Sequence, residues 1–368
     1  MNLYRLILRP LLFRLDAEAA HRRAVAACRV AGALPLVPTL ARACLNFTAP
    51  ELQTEVAGLR VENPIGLAAG WDKSGHAVRM LDHLGFGFAE IGSISARPSA
   101  GNPRPRLFRL PADRAIVVNY GVPNDGAEVV ARRLTAYSPR VPLGVNIVKT
   151  NDGPDAPLCC DEDIFADFER SASLLHSHAG YLALSLNCPN MKVGGDFFAR
   201  PGNITRLLER LRNLQVQCPV FLKIGPSLNP ADHERWIEEA GDFDFVRGFI
   251  FNLAPGKPDT LRLSTPRAVW EQMPGAVSGK PVESLINNCI RELYRRLPPG
   301  RFAIIGAGGV FSAEDAYRKI RLGASLVQIY TALIYEGPGI VKRINRGLCE
   351  LLARDGVKHV SEAVGRDA

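Results

Sequence analysis

Polar residues, or two glycines in the case of the seventh run, stand at or just beyond the end of each of eight short apolar runs, and several of them could do chemistry together. Lysines bind anions, carboxamides donate and accept hydrogen bonds, and a thiol of lowered pKa can act as a general base. In chain order they are Asp72, Lys73, Ser93, Asn146, Cys188, Asn190, Lys223, Asn252, Gly308, Gly309, Tyr330 and Thr331. A ring of such residues at corresponding places predicts a binding or catalytic site.

Several members of this ring have two interpretations each. Lys223 lies inside an apolar run, where it needs an anion; a reduced flavin would supply one, and so would a neighbouring carboxylate. Cys188 is a general base or an inert packing residue, and its place among strand-end amides favours the base. Gly308 and Gly309, with the hydroxyl of Thr331, favour a phosphate site over an ordinary glycine-rich turn.

Several classes of site are excluded by motifs that the sequence lacks. It has no Gly-x-Ser-x-Gly elbow, no Walker-type phosphate loop and no His-Glu-x-x-His motif, and its seven histidines do not cluster. We therefore expect no metal site, no acyl-transfer triad and no nucleotide hydrolysis. The net charge of +8 favours an anionic ligand or anionic lipid, and the absence of any reading motif argues against nucleic acid.

The apolar runs alternate with longer stretches of helical periodicity, which is the pattern of a parallel sheet covered on both faces. Eight such units fit a closed (β/α)8 barrel better than a doubly wound open sheet, because no glycine fingerprint follows the first run. A hairpin around residues 57–58 is expected to close the barrel floor. The predicted strands are 65–69, 88–94, 143–148, 181–186, 220–224, 245–251, 302–306 and 326–330.

The N-terminal region has a different pattern. An apolar stripe of helical spacing runs through the first 15 residues and is interrupted by Pro10. A second helix is expected from Asp16, as N-cap, to Gly32, as its stop, followed by a proline-rich connector over 34–50. The apolar face with flanking arginines suits a membrane interface or a helical pair packed on the barrel, and we favour the membrane.

These patterns divide the chain into two parts. Residues 1–50 form a two-helix extension on the membrane side, and residues 51–368 form the barrel. No run is long and apolar enough to span a bilayer, and the eight cysteines show no regular spacing, which indicates a reducing compartment. We expect a peripheral protein on the cytoplasmic side of the inner membrane, otherwise a cytoplasmic one.

Five motifs together resemble the dihydroorotate dehydrogenase family, in particular its membrane-associated, quinone-dependent class. They are NPIGLAAGWDK (63–73), GFGFAEIG (85–92), RPRLFR (104–109), IGAGG (305–309) and GASLVQIY (323–330). The resemblance covers nearly the whole chain and implies pyrimidine biosynthesis with FMN as cofactor. A base would remove a proton from C5 of dihydroorotate while a hydride passes from C6 to N5 of FMN. The electrons would then pass to a quinone that enters between the N-terminal helices.

The resemblance also implies roles for individual residues. Cys188 would be the base, acting with the catalytic residues Lys73 and Lys223. The flavin would contact Ala69, Gly70, Ser93, Asn146, Lys223, Gly279, Gly308, Gly309, Tyr330 and Thr331. The substrate would contact Lys73, Asn119, Asn190 and Asn252.

Some residues depart from the family pattern. Cys188 stands where the membrane-associated class has serine, although soluble classes use cysteine. Ser185 replaces an asparagine, Leu253 a hydroxyl residue and Phe251 a small or hydroxyl residue, and the loop at Tyr120 is one residue shorter. Each lost hydrogen bond to a buried polar substrate costs about 1–3 kcal/mol. Several such losses could change the substrate that is accepted.

Three hypotheses follow. The first, which we favour, is a dihydroorotate dehydrogenase, a flavin-dependent oxidoreductase acting on a CH–CH bond. The second is an FMN-dependent oxidoreductase of the same family for another cyclic amide or small acid. The third is a paralogue that binds flavin without turnover.

Overall fold

The computed structural model describes residues 3–153, 156, 160–187, 197–254 and 256–368. Its strands are β1 (Thr54–Val56), β2 (Leu59–Val61), β3 (Ile65–Leu67), β4 (Phe88–Ile94), β5 (Leu107–Leu110), β6 (Ala115–Val118), β7 (Leu143–Ile147), β8 (Tyr181–Ser185), β9 (Val220–Ile224), β10 (Val246–Phe251), β11 (Ala276–Gly279), β12 (Ala303–Gly306) and β13 (Leu326–Ile329). Its α-helices are α1 (Arg9–Phe13), α2 (Ala17–Ala33), α3 (Val37–Leu45), α4 (Val78–Leu81), α5 (Ala127–Thr135), α6 (Asp161–Leu175), α7 (Asn203–Asn213), α8 (Pro230–Gly241), α9 (Arg267–Trp270), α10 (Glu283–Tyr294), α11 (Ala313–Arg321), α12 (Thr331–Glu336) and α13 (Ile340–Arg354).

Eight parallel strands close into a barrel in the order β10, β12, β13, β3, β4, β7, β8, β9. These are the eight predicted apolar runs, so the predicted (β/α)8 barrel is confirmed. Every residue of β7, β8, β9 and β13 is buried. Continuous apolar sequence suits these strands because helices cover the outside of the barrel and side chains fill its interior.

The predicted hairpin is formed by β1 and β2 and lies under the barrel. Its Leu59 and Val61 pack with Phe88, Tyr181 and Phe221, which lie at or near the amino ends of β4, β8 and β9. Burying these side chains removes the lower end of the barrel from water and leaves the carboxyl ends of the strands for chemistry.

A second small sheet, which the sequence analysis did not predict, stands over the carboxyl ends of the strands. Its antiparallel strands have the order β11, β6, β5. Residues of β6 and β11 line the cavity described below. This sheet therefore forms one wall of the cavity.

The N-terminal extension follows the prediction at its start. The π-helical segment Tyr4–Leu8 precedes α1, which carries Pro10 in its first turn. The Asp16 carboxylate accepts a hydrogen bond of 2.8 Å from the Ala19 backbone N–H, so Asp16 is the N-cap of α2.

The rest of the extension differs from the prediction in two details. Helix α2 ends at Ala33, within one residue of the predicted end, but Gly32 lies inside the helix and does not stop it. A Cβ at Gly32 would lie 3.1 Å from the Met80 backbone nitrogen, and glycine there lets α2 pack closely on α4. The segment 34–50 is not a plain connector, because it contains α3 with Pro38 in its first turn.

A buried ionic cluster ties the extension to the barrel. The Glu18 carboxylate on α2 accepts hydrogen bonds from Arg104 and Arg106, with N–O distances of 2.9–3.2 Å. Glu18 is 6% exposed. Within the described ranges, no single helix has the length and hydropathy of a membrane span, and α2 and α3 reach them only as a pair bent by 111°.

Candidate active site

One cavity opens at the carboxyl ends of the barrel strands, where the ring of polar residues was predicted. The structure brings most of the predicted residues to its wall: Ala69, Gly70, Lys73, Ser93, Asn146, Lys223, Asn252, Gly308, Gly309, Tyr330 and Thr331. Cys188 and Asn190 lie outside the described residues. The remaining predicted contacts, Asn119 and Gly279, are not among the residues that line the cavity.

Asn119 is not placed on the cavity wall. It directly follows β6, where side chains alternate between two faces, so its neighbours Val118 and Tyr120 line the cavity instead. The Asn119 carboxamide oxygen accepts a hydrogen bond of 3.0 Å from Asn102. Gly279 is also behind the wall, because a Cβ added there would lie 3.1 Å from the Thr331 methyl group.

The Lys73 side chain is half-buried, and the groups in contact with its nitrogen carry no charge. Its ammonium donates to the Gly70 carbonyl oxygen at 2.8 Å and lies 3.8 Å from the centre of the Tyr120 ring. Burial lowers the pKa of Lys73 to about 7, although the Glu18 carboxylate acts in the opposite direction. An anionic group in the cavity would restore the charge of this lysine.

Lys223 faces both the cavity and a carboxylate. Its ammonium donates to the Glu90 carboxylate at 2.7 Å. The neighbouring carboxylate, one of the two anions considered for Lys223 from the sequence, is therefore present. Lys223 nevertheless lines the cavity, and the pair does not prevent it from donating to a ligand. Glu90 and Gln328 were not predicted as site residues, although each is a polar residue inside an apolar strand, the same signal that identified Lys223.

In the glycine turn after β12, the backbone lines the cavity directly, because its two glycines have no side chains. Gly308 and Gly309 have φ of +78° and +79°, in the region that favours glycine. A Cβ on Gly309 would lie 2.4 Å from the Glu283 Cβ, so only glycine fits there. Across the turn, the Thr331 hydroxyl lies 3.2 Å from the Ser278 hydroxyl.

These residues fit the phosphate and the ring of a flavin. Backbone N–H groups and hydroxyls at the glycine turn suit a phosphate. Two buried carboxamide oxygens, of Asn146 and Gln328, have no hydrogen-bond partner among the described residues. Such orphaned acceptors beside a cavity indicate a ligand that carries N–H donors.

The N-terminal extension reaches the same cavity through His21 on α2. His21 Nε2 lies 2.7 Å from the Trp71 carbonyl oxygen, and its Nδ1 lies 3.3 Å from the hydroxyls of Tyr120 and Tyr330. Burial lowers the pKa of His21 to about 3, so the ring is neutral at physiological pH. The extension thus contacts the wall of the cavity with an uncharged, partly aromatic surface.

The residues that depart from the family pattern gather on one side of the cavity. Ser185, Phe251 and Leu253 all line it, beside Asn252. The Asn252 carboxamide donates to the Ser185 hydroxyl at 3.3 Å and accepts from the Leu253 backbone N–H at 2.8 Å. This side therefore combines an amide already bound within the protein with two apolar side chains.

Comparison with known proteins agrees with this geometry. A family model described as dihydroorotate dehydrogenase matches residues 51–352. This chain belongs to the dihydroorotate dehydrogenase family. That membership makes it an oxidoreductase acting on a CH–CH bond, as the sequence predicted.

The curated relatives match over nearly their whole length. A dihydroorotate dehydrogenase (quinone) of Sphingopyxis alaskensis is 38% identical over 98% of this chain and 96% of its own. One of an Anaeromyxobacter strain is 41% identical over the same shares of the two chains. The crystal structure of the ligand-free enzyme from Eimeria tenella aligns with a TM-score of 0.81 at 29% identity, covering 96% of this chain and 99% of that one.

Proposed function

We propose that this chain oxidises dihydroorotate to orotate with bound FMN and passes the electrons to a quinone, as a step of pyrimidine biosynthesis. The observation that carries the proposal is the convergence of Lys73, Lys223, Asn252 and the glycine turn on one cavity. A lysine for an anionic substrate, amides for a ring and backbone for a phosphate are what this reaction needs from a protein.

The cofactor would be held from two sides. Gly308, Gly309 and Thr331 would bind the phosphate, and Lys223 with Asn146 would bind the ring system. Ala69, Gly70, Ser93 and Tyr330 complete the wall around it, with Gly279 supporting Thr331 from behind. FMN, when bound, would supply the hydride acceptor for the substrate and the electron carrier for the quinone.

The substrate would be oriented by charge and by amides. Lys73 would bind its carboxylate, since burial lowers the pKa of this lysine and its closest partners among the described residues, the Gly70 carbonyl and the Tyr120 ring, carry no charge. Asn252 and Asn190 would bind its ring amides. Cys188 would take the proton from C5, which requires the thiolate, and a thiolate forms more readily when a lysine or another positive group lies near.

The division of the chain at residue 50 would be functional. Residues 51–368 would hold flavin and substrate, and residues 1–50 would guide the quinone towards Tyr330 past His21. Large apolar side chains of the extension are exposed: Leu3, Leu6, Ile7, Leu8, Leu11, Val30, Leu34, Leu36 and Leu40. With the adjacent arginines they suit an anionic membrane surface, so we place the protein at the cytoplasmic side of the inner membrane.

A second candidate function is favoured by the side of the cavity that holds Ser185, Phe251 and Leu253. The Asn252 carboxamide is already engaged there, and the two apolar side chains offer no hydrogen bond to a polar ring. An FMN-dependent oxidoreductase for another cyclic amide or small acid would use such a wall.

Growth without uracil separates the two candidates. The gene is introduced into a bacterial strain that lacks its own dihydroorotate dehydrogenase, with a Cys188→Ala variant as the control. Growth that depends on Cys188 supports the proposed reaction. Failure to grow, although the protein is produced with flavin bound, would favour another substrate.

A further inference from the structure

One buried carboxylate at the centre of the barrel collects four hydrogen-bond donors. Glu90 on β4 is fully buried. Its Oε1 accepts from the Lys223 ammonium at 2.7 Å and from the Asn146 amide at 3.2 Å. Its Oε2 accepts from the Gln328 amide at 2.8 Å and from the Tyr181 hydroxyl at 3.0 Å. A carboxylate offers about four acceptor positions, so all positions of Glu90 are filled.

This carboxylate stays ionised despite its burial. Burial opposes the charge, but the Lys223 ammonium and the hydrogen bonds from Lys223, Gln328 and Tyr181 outweigh it and lower the pKa of Glu90. An ionised carboxylate can only accept hydrogen bonds. Each group that faces Glu90 must therefore turn a donor towards it.

That constraint fixes what the neighbours present to the cavity. The amide nitrogens of Asn146 and Gln328 are committed to Glu90, so their oxygens remain acceptors, and these are the two orphaned oxygens of the cavity wall. Lys223 uses one N–H on Glu90 and keeps two for a ligand. Tyr181, the fourth partner of Glu90, does not line the cavity, because its ring packs into the apolar cluster at the barrel floor.

We propose that Glu90 is a positioning residue for the flavin ring: it holds Lys223 as a donor and the Asn146 and Gln328 carboxamides as acceptors on the same wall. The inference rests on the proposed function, because it takes FMN as the ligand. Glu90 itself does not touch the flavin; it acts through the three side chains that line the cavity. Neutralising it would free both carboxamides to rotate and would leave Lys223 without its counter-charge.

The test compares two variants that each remove one donor from the same oxygen of Glu90. Gln328→Met also removes a cavity acceptor. Tyr181→Phe removes a hydroxyl that also accepts a longer hydrogen bond, of 3.3 Å, from the Gln328 amide, but it leaves every residue of the cavity wall in place. Flavin is removed from the full-length proteins and returned, and the dissociation constant of FMN is measured by quenching of its fluorescence. Gln328→Met should weaken FMN binding about tenfold, the loss of one hydrogen bond to a buried partner, and Tyr181→Phe should leave it at the wild-type value.

Glu90→Gln supplies a second readout. The variant keeps the shape of the side chain but can donate as well as accept, so FMN should bind more weakly than to wild type. The midpoint potential of its bound flavin should also differ from wild type, while that of Tyr181→Phe should not. If Glu90→Gln does not fold, the comparison of Gln328→Met with Tyr181→Phe decides.

Equal FMN affinities in Gln328→Met and Tyr181→Phe, or a folded Glu90→Gln protein with wild-type affinity and potential, would overturn the proposal and make the cluster purely structural. A wild-type protein that binds no FMN would instead refute the proposed function. The two failures are therefore distinguishable.

Discussion

The ammonium of Lys73 lies 3.8 Å from the centre of the Tyr120 ring and donates to the Gly70 carbonyl oxygen, so the groups in direct contact with it carry no charge. Ring and carbonyl compensate only part of the hydration that a buried ammonium loses. The result is a lysine whose pKa is lowered to about 7 and which gains stability when an anion enters the cavity.

Binding of an anionic ligand should therefore take up protons above pH 7. Without ligand Lys73 is largely neutral there, and a bound carboxylate raises its pKa, so affinity for orotate should fall as the pH rises above 7. Calorimetric titration at pH 8, in buffers of different ionisation heats, measures the uptake. Lys73→Met should show none, and a wild-type proton balance of zero would contradict this role for Lys73.

Glu18 should hold the extension on the barrel. Glu18→Gln removes the charge between Arg104 and Arg106 and should lower the free energy of unfolding by about 2–3 kcal/mol, because Arg106 stays buried without its partner. Urea denaturation measures the change. The control is Glu271→Gln on the exposed pair with Arg267, which should change nothing measurable.

The ion pairs of Glu18 with Arg104 and Arg106 should also make the stability of the protein depend on pH. The arginines, through their hydrogen bonds and charge, outweigh burial and lower the pKa of Glu18 below its ordinary 4.5. The stabilisation is therefore complete above pH 4.5 and is lost as the pH falls through the folded-state pKa. Equal stability of wild type and Glu18→Gln at neutral pH would show that this cluster does not hold the extension.

The exposed apolar face of the extension should bind membranes. The double variant Ile7→Glu, Leu11→Glu places charge on two side chains that are 53% and 54% exposed, and it should lose co-sedimentation with anionic lipid vesicles. The matched control, Leu228→Glu with Val269→Glu, changes side chains of 50% and 49% exposure on the barrel. If both double variants sediment like wild type, the face has another partner.

Cys188 should be needed for proton removal and dispensable for flavin binding. Cys188→Ala should therefore retain FMN and lose its reduction by substrate, and Cys188→Ser should recover part of the rate. Rapid-mixing absorbance measures each reduction. A wild-type rate in Cys188→Ala would assign the base to another residue.

The barrel could be predicted because its strands are buried on both faces and therefore read as continuous apolar runs. Helix α3 was missed because the prolines of segment 34–50 were interpreted as those of a connector, although proline is compatible with the first turn of a helix, where Pro38 lies. Gly32 was taken as a helix end because glycine often follows the last turn of a helix. Glycine suits this position instead because the Met80 backbone approaches it closely, a tertiary contact that the local sequence does not show.

The candidate site was predictable where strand position alone fixes it. Lys73, Lys223 and the glycine turn needed only the ends of the barrel strands. The place of Asn119 off the cavity wall could not be predicted, because it depends on the alternation of β6, in a sheet that the sequence pattern did not indicate. Its contact with the substrate stays a prediction. Glu90 carried a signal in the sequence, but its partners could not be predicted, because they come from four different strands and meet only when the barrel closes.

Anaerobic reduction of the bound flavin by dihydroorotate is the decisive measurement for the proposed reaction. The purified protein is kept under nitrogen, its visible flavin absorption is recorded, and dihydroorotate is added, followed by a quinone. We expect rapid bleaching by dihydroorotate and recovery of the band with the quinone. A flavin band that dithionite bleaches but dihydroorotate leaves unchanged would contradict the proposed reaction.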